Sequence, residues 1–313
     1  MSSASSPPIT LQVTTSPRRH LADLGVLLKP RVTGLIVMSA WCGFYFAAHK
    51  SGVRALDSLP LLAFALTGVG LVAGGTAALN QVLERESDAH MQRTAIRPLP
   101  AQRLRTREAL LFGLIGLFAG LLLLATKTNL LTAILALATA LSYLGLYTPL
   151  KKISPWCTFV GAFPGAMPPV LGWAALRGRL EWETLALFAI LFLWQFPHFF
   201  SIAWLYSEDY ESARIRMLPV VEKDGRSTVR QTLIYGLLLM PVSLFPFLLH
   251  MAGIAYLIGA ALLGGIYFYF ATRLGAECLR PADARSKKNA RDLLRASVLY
   301  LPLLFIMMMF NAA

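Results

Sequence analysis

Nine stretches of this chain are apolar, near residues 32–50, 60–82, 109–126, 129–147, 156–174, 183–205, 232–250, 252–271 and 292–311. At a rise of about 1.5 Å per residue, about 20 such residues cross the hydrocarbon core of a bilayer. The runs are continuously apolar and lack the period-2 alternation of barrel strands, so they predict helices. The predicted fold is all-α, a polytopic membrane helical bundle of about nine transmembrane helices. With 56% hydrophobic and 14% charged residues and a mean hydropathy of +0.59, the chain is too apolar for an ordinary soluble domain. One transmembrane domain is expected over 23–313. The Ser-, Thr- and Pro-rich residues 1–22 read as a disordered tail without the apolar core of a signal peptide.

A net charge of +13 raises the question of nucleic acid, but the placement of the basic residues answers it. If the N-terminus is cytoplasmic, 24 of the 29 Lys and Arg fall on the cytoplasmic side and 5 on the other. Such a split is the positive-inside pattern, with the N-terminus in, the C-terminus out and an odd number of spans. The basic pI therefore needs no nucleic-acid partner. Cys42, Cys157 and Cys278 lack metal-ligand spacing and sit in or beside apolar runs, where small apolar filler is the expected role.

The chemistry gathers on the two long loops of the charge-rich side. Asn80, Glu84 and Asp88 stand four residues apart at the end of the second run. Steps of four keep side chains on one helix face, so the three form a ladder of hard oxygen donors suited to Mg²⁺. Arg93 and Arg97 follow, with planar donors suited to phosphate. Charged residues at a helix end are equally read as a solvated face, and spacing alone leaves both readings open. Asp209 lies just beyond the sixth run as Asp88 ends the second, so acids from two spans could clamp a metal and a diphosphate. Tyr147-Thr148-Pro149-Leu150-Lys151-Lys152 puts two cations at the same surface, as anchors or as further diphosphate contacts. Gln195 and His198 lie inside the sixth run, where polar groups usually face a bundle interior or cavity. For His198, a hydrogen-bonded core residue is the plainer reading beside a substrate contact or proton donor. The prolines and glycines of 161–173 predict a broken fifth span walling a large pocket.

Read together, these residues resemble the UbiA-type intramembrane prenyltransferases, and within them the branch that farnesylates haem. The resemblance rests on Lys29-Pro30-Arg31-Val32-Thr33, on Asn80…Glu84-Arg85…Asp88…Arg93-Thr94…Arg97-Pro98-Leu99, and on Tyr147-Thr148…Leu150-Lys151. Pro164-Gly165-Ala166…Gly172-Trp173, Trp194-Gln195…Pro197-His198-Phe199, Asp209-Tyr210 and Met217-Leu218-Pro219 extend it. The chain departs from the family pattern at Glu84 and Glu86, where Asp is common. It departs also at Cys157, where Asn is expected, and at Arg214, where Gly is usual.

The resemblance implies that farnesyl diphosphate binds through Mg²⁺ on Asn80, Glu84, Asp88 and Asp209, with Arg93, Arg97, Lys151 and Lys152 on the diphosphate. It implies haem b as the acceptor, attacked at a vinyl group, with His198, Gln195 and Tyr147 near it. Location in a bacterial inner membrane, and haem A synthase or terminal-oxidase assembly factors as partners, are implied in the same way. A related prenyltransferase with another aromatic or chlorin acceptor is the first rival. A transporter is the second, disfavoured because no internal repeat is visible and the polar residues cluster at one face.

Overall fold

The computed structural model describes residues 17–278 and 284–313. Residues 1–16 of the expected tail and the Cys278 side chain lie outside the described residues. The helices are α1 (Pro17–Leu27), α2 (Pro30–Lys50), α3 (Leu59–Ala89), α4 (Thr106–Lys127), α5 (Leu130–Leu141), α6 (Thr148–Leu150), α7 (Cys157–Ala166) and α8 (Pro168–Arg177). They continue with α9 (Trp182–Leu205), α10 (Ser207–Ser212), α11 (Leu218–Val221), α12 (Arg226–Val242), α13 (Phe245–Leu248), α14 (Ile254–Cys278) and α15 (Ala284–Phe310). Among the described residues no strand occurs, apart from a single bridge between Ala252 and Ala312. Among the described residues nine helical spans are long and apolar enough to cross a membrane, at the nine positions that the hydropathy predicts. Residues 17–22, expected within the disordered tail, form the first half of α1. Helix α1 is held because Leu27 is fully buried against Ala78, Val82 and Leu99, and Asp23 pairs with Arg103.

Sequence chemistry explains the boundaries. Pro30 opens α2 and Pro168 opens α8, where the missing N–H would be an orphan of the first turn anyway. Gly178, at φ 64°, closes α8 in the left-handed conformation that glycine takes without a Cβ penalty. The fifth span is broken between α7 and α8, as predicted, and its small residues serve close helix approach. Gly172 lies against the Ala40 carbonyl and Gly43 against that of Pro169, so they let α2 and α8 touch backbone to backbone. Trp173 is fully buried beside them. Helix packing in lipid is driven by such close approach.

The connections sort into two ends. Asn311 accepts from Gly253 and Arg177 donates to Ser51 at one end, which therefore gathers the C-terminus. Lys29 donates to Asn80, Arg216 to the Lys151 carbonyl, and Lys287 to Glu208 at the other, which gathers α1 and the two long loops.

Candidate active site

Helix α3 continues about two turns past its apolar stretch, to Ala89, and carries the ladder with it. Asn80, Glu84 and Asp88 line one cavity of about 110 Å³, together with Lys29, Met91, Arg93, Thr94, Arg97, Tyr147, Lys151, Tyr210, Ile215 and Met217. Asn80 and Asp88 are 0% and 1% exposed, which rejects the solvated-face reading. Thr94 donates its hydroxyl to the Asp88 carbonyl at 2.8 Å, and this turns the chain back over the ladder.

Each acid already has a cation. Arg97 Nη1 lies 2.6 Å from Asp88 Oδ2 and Lys151 Nζ 2.6 Å from Glu84 Oε1. Lys151 also stands 4.3 Å from the Tyr147 ring centre. Burial opposes its charge, but the Tyr147 ring and the Glu84 carboxylate outweigh that and hold it well above the ordinary lysine range. Lys29 Nζ donates to Asn80 Oδ1 at 3.1 Å, and the Asn80 amide donates to Thr148 Oγ1 at 3.1 Å. Burial, reinforced by Arg97 and opposed by Glu84, pulls the Lys29 ammonium down to about 8. A π-helical turn at Ser142–Tyr147 interrupts the fourth span beside this cluster. Such turns are frequent at functional sites because they re-aim the side chains that follow.

The second acidic loop does not bring Asp209 into this cavity. Asp209 opens onto a neighbouring cleft with Gln92, Arg93, Tyr206 and Glu208, and its Oδ1 accepts from the Gln92 amide at 3.3 Å. Arg93 stands between the two spaces, stacked 4.7 Å from the Tyr206 ring and 5.4 Å from that of Tyr210. The ladder thus brings three oxygen-bearing side chains to this cavity, and Asp209 lines the cleft next to it.

The sequence of this chain matches the model of the UbiA prenyltransferase family over residues 36–297. The chain belongs to that family. It is 56% identical over 295 residues to a protoheme IX farnesyltransferase of Koribacter versatilis, with 93% of each chain covered. It is 51% identical to one of Solibacter usitatus, covering 93% of this chain and 99% of the relative. Among solved structures, digeranylgeranylglyceryl phosphate synthase superposes with a TM-score of 0.75 at 19% identity, covering 94% of this chain and 98% of that one. A UbiA homologue of Archaeoglobus fulgidus bound to GPP and Mg²⁺ superposes with a TM-score of 0.63 at 18% identity, covering 91% and 99%. At these identities the two structures establish the fold, an integral membrane bundle.

Within this UbiA fold the remaining expected site residues divide. Tyr147 lines the cavity, but Lys152 is exposed beside it and does not. Gln195 is buried and donates to the Ala162 carbonyl at 2.9 Å, tying α9 to α7. His198 Nδ1 lies 2.7 Å from Ser297 Oγ, and its ring stacks on Trp194 at 4.8 Å. Both are hydrogen-bonded between helices, and neither lines the cavity with the ladder. Lys29, Met91, Thr94, Tyr210, Ile215 and Met217 line the cavity beyond the expected site residues, and Thr148 supports it by accepting from the Asn80 amide. Lys29 has a signal in the sequence, a cation directly before the first span at the head of Lys29-Pro30-Arg31, which the positive-inside count explains equally well.

Proposed function

We propose that this protein transfers the farnesyl group of farnesyl diphosphate to a vinyl group of protohaem IX, giving haem O. The observation that carries this is the meeting of Asn80, Glu84 and Asp88 with Lys29, Arg97 and Lys151 in one cavity. Hard oxygen donors beside clustered cations suit a metal–diphosphate headgroup. The cavity is well below the roughly 300–1,000 Å³ of ordinary ligand pockets and suits that headgroup rather than a whole prenyl chain or porphyrin. The acceptor reading is supported by the names of the relatives that are 56% and 51% identical.

A Mg²⁺ held by Asn80, Glu84 and Asp88 would supply positive charge to the departing diphosphate. Lys151, Arg97 and Lys29 add fixed charge where negative charge grows, which is electrostatic catalysis at its strongest when water is excluded. Met91, Ile215 and Met217 provide apolar cover on the loop side of the cavity. As the allylic C–O bond breaks, its electron pair leaves with diphosphate. The vinyl carbon then forms the new C–C bond, and water adds to the resulting cation with loss of a proton. Haem is substrate in this scheme. Asp209, in the adjoining cleft, remains the proposed fourth metal ligand, and His198, Gln195 and Tyr147 remain the proposed acceptor-side residues. We place the site at the cytoplasmic end of a bacterial inner-membrane protein, with haem A synthase or terminal-oxidase assembly factors as partners.

The test supplies detergent-purified protein with haem b, farnesyl diphosphate and Mg²⁺ and follows haem extracts by mass. Haem gains the hydroxyethylfarnesyl group only when the metal is present. Release of diphosphate without change in haem would move the acceptor to another aromatic or chlorin. No diphosphate release by folded protein with any acceptor would overturn the prenyltransferase reading.

A further inference from the structure

Two neighbouring helices on the outside of the bundle carry apolar stripes that turn basic at the same level. Tyr267 of α14 donates to the Trp194 carbonyl of α9 at 3.2 Å, and Trp194 Nε1 donates to the Ser297 carbonyl of α15 at 2.9 Å. Both helices thus turn their inner faces onto α9 and their outer faces away from it. On α15 the outer face runs through Phe310, Ile306, Leu303 and Leu299, all exposed, and continues through exposed Arg295, Arg291 and Lys288. Steps of three and four keep these residues in one stripe. On α14 the exposed Leu262, Ile266 and Tyr269 lead in the same way to exposed Arg273.

The depth of these cations follows from helix length. A hydrocarbon core of about 30 Å takes about 20 helical residues. Counted back from Phe310, about 20 residues end at Arg291, and counted forward from Ile254, about 20 end at Arg273. The two counts start from different helices and agree in space. Asn289 Nδ2, two residues before Arg291, donates to the Arg273 carbonyl at 3.1 Å, so the two arginines stand at one level. Arg295 lies one turn deeper on the same face.

Arginines on a lipid-facing surface at this depth need an anion, and the protein supplies little. Lys287, on another side of the first turns, takes Glu208, and Asp292 comes only to 3.7 Å from Arg295. Among the described residues Arg273, Lys288 and Arg291 have no ion pair, and the Arg273 guanidinium lies 6.0 Å from the Tyr269 ring centre. The positive-inside rule accounts for cations in a loop. It does not account for arginines carried down two helices onto faces that lipid covers. The anion found at that depth is a phospholipid phosphate, which a planar guanidinium meets with two parallel N–H donors.

We propose that the outer seam between α14 and α15 is a binding site for an anionic phospholipid. Arg273, Arg291 and Arg295 hold the headgroup, Lys288 caps it, and the acyl chains lie along the apolar stripes below. Basic residues between membrane helices are suited to such headgroups. An anionic lipid is selected over a zwitterionic one because Asp292 is the one carboxylate beside the patch to receive an ammonium, and it already faces Arg295. None of these residues lines the cavity of the ladder, so the site is independent of the reaction proposed above.

The experiment counts lipids bound to the purified full chain by native mass spectrometry as dioleoyl phosphatidylglycerol or dioleoyl phosphatidylcholine is added to the detergent solution. The first phosphatidylglycerol is expected to bind wild type at least tenfold more tightly than the first phosphatidylcholine. Arg273→Gln and Arg291→Gln are each expected to weaken phosphatidylglycerol about fivefold, the worth of one basic residue near a charged lipid surface. The double variant is expected to lose the preference, and Arg291→Lys to keep most of it. The substituted side chains are exposed, so the thermal midpoint without added lipid is expected to match wild type. Arg107→Gln, which removes an exposed cation from the start of α4 at the same end of the bundle, is expected to change nothing. A loss in Arg107→Gln equal to that in Arg291→Gln would reduce the effect to general positive charge and overturn the site. Full preference in the double variant would place the lipid elsewhere and overturn it too. Equal affinity of wild type for the two lipids would leave the patch to an acidic protein partner, and the proposal would fall.

Discussion

Asp88 shows what a single residue is asked to do in this site. It is 1% exposed, and its charge is tolerated because Arg97 lies 2.6 Å away. Truncating one member of such a buried pair strands the other at a cost of about 3–5 kcal/mol, so alanine would confuse folding with chemistry. Asp88→Asn keeps an acceptor for Arg97 while removing the carboxylate. It is expected to leave a folded protein whose diphosphate release, followed with farnesyl diphosphate and haem, slows by at least about 100-fold. A fall of less than tenfold would remove Asp88 from the metal-binding set. Arg214 makes the opposite case. It stands where the family resemblance expects glycine, and the structure gives the reason, a φ of 55°. An exposed side chain there bears the left-handed penalty without visible return. Arg214→Gly is expected to stabilise the fold by about 1 kcal/mol in denaturant unfolding, with turnover unchanged.

At the scale of elements, the site depends on how closely helices approach. Helices α3 and α4 pack through Gly75, Gly113 and Gly116, and a Cβ on Gly75 would lie 2.5 Å from the Leu117 amide nitrogen. Small residues of this kind are what let membrane helices associate. Gly75→Leu is therefore expected to separate α4 from the helix that bears the ladder. Its loss of monodisperse protein in size-exclusion chromatography should be severe, whereas an exposed change such as Leu122→Ala on α4 should cause none. Helix α1 acts as a strap. Its Asp23–Arg103 pairing joins it to the loop that follows α3. With Asp23→Asn the bond is weakened and the Lys29 turn is less firmly placed. The expected outcome is a several-fold higher KM for farnesyl diphosphate and an unchanged KM for haem. Equal changes in both constants would point to general damage instead.

At the scale of the whole molecule, the bundle sorts its chemistry to one end. The ladder, the cavity cations and both long loops share that end, while the C-terminus lies at the other. The N-terminal helix and the C-terminus thus sit at opposite ends, as an odd number of crossings requires. On the positive-inside pattern we propose that the cavity end faces the cytoplasm. Cysteine substituted at exposed Lys152 is then expected to react with a membrane-impermeant maleimide only in inverted vesicles, and at exposed Arg179 only in spheroplasts. The native Cys42 and Cys157 are buried and should contribute little signal, and Cys278 would be replaced by serine first. Reversed labelling would turn the site outward and separate it from cytoplasmic diphosphates.

The sequence alone determined the fold class and the nine spans, because continuous apolar length is a local property that lipid reads directly. It also determined the ladder, since a period of four on a helix needs no tertiary contact to place Asn80, Glu84 and Asp88 on one face. Which of the expected residues share a cavity is decided by tertiary packing. Whether Asp209 meets the ladder depends on how two loops, more than 100 residues apart in sequence, lie against each other, and Arg93 stands between them. His198 and Gln195 were legible as polar residues inside a span, but only the packing of α9 on α15 and α7 shows which neighbours satisfy them. Lys29 was hidden for the same reason. Its charge looked like one of many anchors until the fold of α1 onto α3 turned its backbone left-handed and pointed it at Asn80. Local periodicity specifies elements and faces, while the company that a polar group keeps is set by the helices packed around it.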